Sequence, residues 1–157
     1  MKSATVSEIK KELGTRSQKE LTELCLHLAK FKKENKELLT YLLYEADDEA
    51  SYIENVKIEI DEEFDAINTN SYYFIKKSIR KILRATKKYI RYSKQKETQA
   101  ALLLYFCLKL KNFRPSINKN ITLLNLYQRE LQGVKKVIGT LHEDLQYDYQ
   151  SSLDELT

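Results

Sequence analysis

Along the chain, apolar residues recur at spacings of three and four with short polar interruptions, the period of amphipathic helices rather than strands. Thr5-x-x-Glu8 is a capping box that opens a short first helix ended by Gly14, and Ser17-x-x-Glu20 opens a second. Leu21, Leu24, Leu28 and Phe31 then trace one apolar stripe. The polar run "KKENKE" at 32–37 predicts a break near Asn35, beyond which Leu38 and Leu42 resume the stripe. Asp47 or Asp48 caps a further helix whose buried face is Ile53, Val56, Ile60, Phe64 and Ile67. "NTNS" at 68–71 supplies a turn and the next cap.

Three further helices follow. One covers about 71–95, a leucine-rich one lies near 98–112 and stops before Pro115, which cannot continue a helix, and the last runs from Ile117 or Asn120 to near Tyr147. Gly133 and Gly139 fall inside that last helix, each at a cost of about 1 kcal/mol relative to Ala, so a kink or close helix contact is expected there. Residues 148–157 are expected to fray.

Three glycines and one proline are too few to punctuate a sheet protein, and the chain is therefore all-α. A length of 157 residues suits one domain, here a compact bundle of about six or seven helices over 1–147. A short helical-repeat-like array is the alternative, although no period is strong enough to define a solenoid.

Charge changes the picture more than composition does. The net charge of +4 hides a segregation: residues 45–65 carry one base and ten acids, and residues 66–96 carry ten bases and no acid. On a helical wheel at about 100° per residue with Ile75 at zero, Ile79, Ile82, Leu83, Thr86, Tyr89 and Ile90 fall between roughly −40° and +80°. Lys76, Lys77, Arg80, Lys81, Arg84, Lys87, Lys88, Arg91 and Lys94 fall opposite, between roughly 100° and 240°, with Tyr73 among them near 160°. At about 1.5 Å per residue, these nine cations span about 27 Å, a scale matched to duplex DNA with one phosphate per roughly 1.7 Å of axis. Like charges at i and i+4, such as Lys76, Arg80, Arg84 and Lys88, each destabilise an isolated helix by a few tenths of a kcal/mol.

The acidic helix must run antiparallel to the basic one, which brings Glu62 and Glu63 near Lys76, Glu59 near Arg80 and Asp48 near Arg91. A partner packed over the apolar stripe reaches only the flanking cations, so Lys77, Arg80, Arg84 and Arg91, near 140–200° on the wheel, are expected to stay open. Full internal pairing of the basic face would make it a purely structural feature.

Catalytic chemistry finds little support. His27 and His142 lie far apart, neither belongs to HExxH, and no Glu stands three residues before either. Cys25 and His27, two apart, point to different sides of a helix and make no nucleophile–base pair. There is no glycine-rich phosphate loop and no GxSxG. Cys25 and Cys107 are isolated thiols expected to be buried in a reducing cytosol. The first residues lack the apolar core of a signal peptide, and "AALLLYFCL" is about half the length needed to span a bilayer, so a cytoplasmic location is expected.

"VSEIKKELGTRSQKELTELCLHLA", residues 6–29, resembles a shortened SAP motif, the small helix–loop–helix DNA-binding module. Val6, Ile9 and Leu13 match its first helix and Lys19, Leu21 and Leu24 its second, with a shorter loop that lacks the module's internal glycine pattern. The stretch covers under a sixth of the chain. An ordinary helical hairpin accounts for the same residues.

The expectation is thus a non-enzymatic binding or adaptor protein with no metal or cofactor. Its contact surface is the cationic face of 76–94, with nucleic acid as the first partner and an acidic protein as the second. Arg80, Arg84 and Arg91 offer planar forks to phosphates, and Tyr72, Tyr73 or Tyr92 could stack on unpaired bases. A membrane surface is disfavoured because the helix needs its apolar face for the core. The pattern leaves the oligomeric state open.

Overall fold

The computed structural model describes residues 1–157. It contains eight α-helices and no strand, an all-α protein with one or two more helices than the sequence predicts. It divides into two compact units, Met1–Tyr44 and Glu45–Thr157, where the sequence predicts one domain.

The first unit holds α1 (Val6–Leu13), α2 (Gln18–Phe31) and α3 (Lys33–Thr40). Both predicted capping boxes form: the Thr5 and Ser17 hydroxyls accept from the Glu8 and Glu20 amides, while each Glu carboxylate accepts from the cap amide at 2.7 Å. These bonds hold the Glu8 and Glu20 carboxyls below their ordinary range. The break falls at Lys32, whose φ of −139° and ψ of 144° leave the helix three residues before Asn35. The Asn35 amide donates to the Leu28 carbonyl at 2.8 Å, satisfying an end of α2 that would otherwise be bare. None of the residues of α1, α2 or α3 is buried. The stripe expected to pack is open instead, with Leu24, Leu28 and Phe31 exposed, and Cys25 is exposed with it. Three short helices have too few facing partners to close a core, which explains why periodicity alone misassigned their burial.

The second unit holds α4 (Glu49–Asp65), α5 (Tyr72–Ser93), α6 (Lys96–Asn112), α7 (Ile121–Ile138) and α8 (Glu143–Leu156), with a 3₁₀ turn at Ile117–Lys119. Helix α6 is apolar nearly all round, and such a helix belongs at a centre. It packs against α4, α5, α7 and α8, with Leu102, Phe106, Cys107 and Leu110 fully enclosed. Phe64 of α4 meets Phe106 at a ring-centroid distance of 5.8 Å and Phe113 at 6.0 Å. From α5 come Ile75, Ile79, Ile82, Leu83, Thr86 and Ile90, all buried as the wheel requires. The Thr86 hydroxyl is satisfied by donating to the Ile82 carbonyl at 2.9 Å.

The last predicted helix is two. Gly139 closes α7, the chain turns at Thr140 and Leu141, and His142 caps α8 by accepting from the Asp144 amide. Residues 148–157 do not fray: α8 continues to Leu156, which is buried, and the Tyr127 hydroxyl donates to the Leu156 carbonyl at 2.9 Å. A terminal segment tied down by an apolar anchor and a hydrogen bond stays ordered.

Half-buried Tyr105 and buried Tyr127 add a pH-dependent term. Burial pushes the Tyr105 and Tyr127 hydroxyls up to about 12, helped at Tyr105 by hydrogen bonds to Asp61 at 2.7 and 2.8 Å. Their neutral forms are favoured in the folded state, so this stabilisation is complete below pH 10 and is lost as pH rises from about 10 to 12. Stability measured by denaturant should therefore fall across that interval, and absorbance titration should show Tyr105 and Tyr127 ionising near pH 12. Ionisation of Tyr105 and Tyr127 at the ordinary phenol value of about 10 would contradict these placements.

Candidate functional site

Helix α5 places the cationic residues by its own period. The acidic helix α4 engages only one edge of that face. Lys81 pairs with Glu63 at 3.0 Å, and the Tyr89 hydroxyl donates to Glu59 at 2.7 Å. Ser93 donates to Glu49, which also accepts from the buried Thr98 hydroxyl of α6. Asp61 turns the other way, to Lys109 at 2.9 Å and to Tyr105; burial raises its carboxyl, but these hydrogen bonds outweigh that and hold it low. Within the acidic block, Glu59 and Glu63 thus engage the flank of α5, Glu49 and Asp61 reach α6, Asp48 caps its own helix and Glu54 pairs with Lys57 of α4 itself.

Lys76, Arg80 and Arg91 form none of the expected pairs with Glu62, Glu63, Glu59 and Asp48. The observed pairs Glu63–Lys81 and Glu59–Tyr89 displace the register by more than a turn. The connection at 66–71 is six residues long and so can run up to about 20 Å, enough for α5 to begin beyond the end of α4. The first turn of α5 is instead fixed by the Tyr72 hydroxyl, which donates to the Ser116 carbonyl at 2.9 Å.

On the opposite edge, Lys87 pairs at 2.7 Å with Glu130 of α7, a carboxylate only 5% exposed. Lys88 lies over the Tyr89 ring at 4.9 Å. Between these edges Lys77, Arg80, Arg84 and Arg91 are exposed and have no carboxylate at ion-pair distance, in keeping with their position near the middle of the polar face. Lys76 is half-buried, and Lys94 is exposed at the end of the helix with a left-handed φ of 59°. Tyr73 is 67% exposed and stands edge-on to the exposed Phe74 at 5.4 Å. Tyr92 is half-buried against the Tyr89 ring, and the Tyr72 hydroxyl is already engaged.

Reasoning on α5 alone misses a second wall. Arg80, Leu83, Arg84 and Lys87 face Thr122, Asn125, Leu126 and Arg129 of α7 across a groove of about 690 Å³. The missed signal was sequence separation, since α7 contributes one Arg per several turns and forms no charge run.

Elsewhere, no three His, Cys, Asp or Glu side chains converge as a metal site. Burial pushes the Cys107 thiol up to about 12, with Glu130 adding to the shift and Lys87 opposing it, so this thiol stays protonated and unreactive at neutral pH. No helix is long and apolar enough to cross a membrane. Compared with protein-family profiles, characterised proteins and solved structures, the chain matches none, the SAP-like stretch of α1 and α2 included.

Proposed function

We propose that the protein is a non-enzymatic nucleic-acid-binding module whose α5 presents Lys77, Arg80, Arg84 and Arg91 to backbone phosphates. The observation that carries this reading is that these four cations remain exposed and unpaired although an acidic helix packs on the same element. From Lys77 to Arg91 the face runs about 21 Å, long enough to meet several phosphates. Three of the four are arginines, whose planar guanidinium forks grip phosphate oxygens in pairs. Tyr73, at the same face and open to solvent, offers a ring on which an unpaired base can stack.

Amide chemical shifts followed during titration with a single-stranded or duplex oligonucleotide test this reading. The proposal expects the perturbed amides to run along α5 from Tyr73 to Arg91. Perturbations gathered on α8 or confined to residues 1–44 would reject it, and an acidic protein ligand would leave the oligonucleotide titration silent.

A further inference from the structure

The groove between α5 and α7 gathers donors from two helices onto one apolar floor. Arg80 and Arg84 form one wall, Thr122, Asn125 and Arg129 the other, and the buried Leu83 and Leu126 lie between them. Beneath Arg129 and Lys87 sits Glu130, accepting from the Arg129 Nε at 3.1 Å and from the Lys87 Nζ at 2.7 Å. This carboxylate is nearly sealed from solvent, and its charge is offset by the two cations from which it accepts. Its effect on the two cations is orientational: it holds the guanidinium edge and the ammonium in place, and the terminal nitrogens of Arg129 remain on a side chain that is 69% exposed. Fixed donors cost less ordering when a ligand arrives than free ones do. Four cations against one carboxylate leave the groove net positive by three charges. The first turns of α7, which contain Thr122 and no acidic residue, add the partial positive charge of a helix start to the same place.

We infer that this groove is the seat of the phosphodiester backbone of a nucleic-acid strand, clamped between Arg80 and Arg84 of α5 and Arg129 of α7, with Thr122 and Asn125 as neutral donors. The inference rests on the nucleic-acid reading above and adds a second helix to it. It makes a demand that a simple cationic helix does not: residues of α7, outside the basic segment, must contribute to binding, and a neutral one among them must do so without changing the salt response.

The test uses the full chain and a fluorescein-labelled oligonucleotide, single-stranded and duplex, titrated at several salt concentrations. Arg129→Gln should weaken binding several-fold and reduce the magnitude of the log–log salt slope by about one. Asn125→Ala, at an exposed position that leaves Glu130 undisturbed, should weaken binding about two- to fivefold with the slope unchanged, as loss of a neutral hydrogen bond does. Lys30→Gln removes the same charge from the other unit and should change neither quantity. If the parent binds while Arg129→Gln and Asn125→Ala both behave like Lys30→Gln, the groove is overturned and the α5 surface stands alone. If the parent binds no oligonucleotide, the groove and the functional reading fall together.

Discussion

Replacing Ile79 or Phe106 by Ala should destabilise the second unit by about 3–5 kcal/mol, read from the midpoint of chemical denaturation. Both side chains are 0% exposed, and both lie where the helices of this unit converge on α6. Large-to-small changes at such positions lose the transfer free energy of the deleted atoms and leave a cavity that rigid neighbours fill only in part. Ile82, 2% exposed and on the same stripe, should cost slightly less, about 2–4 kcal/mol. Phe31→Ala, in the exposed stripe of α2, is the contrast and should change stability by no more than about 0.5 kcal/mol. A small effect at Ile79 together with a large one at Phe31 would invert the assignment of the core.

The largest functional effect is expected from Arg80, Arg84 and Arg91 changed together to Gln. Four open cations that each neutralise a duplex phosphate give a log–log salt slope of about −3 to −5, allowing for a contribution from the groove, because each phosphate contact releases condensed counterions. Removing three of the four should bring the slope to about −1 to −2, the remainder coming from Lys77 and the groove, and abolish most binding at 0.15 M salt. The triple variant should keep its fold, since none of the three side chains is buried or ion-paired and relief of like-charge crowding favours the helix. Retained slope in a folded variant would move the contact surface away from α5.

Much of the architecture is legible in the order of residues because it depends on local period and capping. The two boxes at Thr5 and Ser17 read correctly, since each is a reciprocal exchange between residues three apart. The stripe from Ile75 to Ile90 reads correctly because a single face of one helix is fixed by the helix itself. What fails is whatever depends on distant partners. Leu24, Leu28 and Phe31 have the same spacing as a buried stripe, yet no element of the first unit covers them. Tyr52, and not the predicted Ile53, heads the buried row of α4 with Val56, Ile60 and Phe64, and its hydroxyl donates to the Tyr89 carbonyl at 2.9 Å. The register of α4 on α5 is marked by Glu63–Lys81 and Glu59–Tyr89, pairs 18 and 30 residues apart that have no local signature.

The candidate site divides the same way. That Lys77, Arg80, Arg84 and Arg91 stay open follows from their angle on the helix, whereas Lys87 takes an unforeseen partner in Glu130 of α7. Arg129, Thr122 and Asn125 join the basic surface only through the groove that α7 lines together with α5, which has no trace in the local sequence. The one-signed charge of residues 66–96 marked the region, and tertiary packing decided which of its ten cations remain free.

The central claim is that these free cations meet phosphates. Its most direct test is the affinity of the unmodified protein for a short duplex and a short single strand, measured by fluorescence anisotropy at about 50 and 200 mM salt. A slope of about −3 to −5 predicts a loss of roughly 10²- to 10³-fold in affinity over that fourfold change. Affinity that is absent at the lower salt, or present and indifferent to salt, would contradict the account.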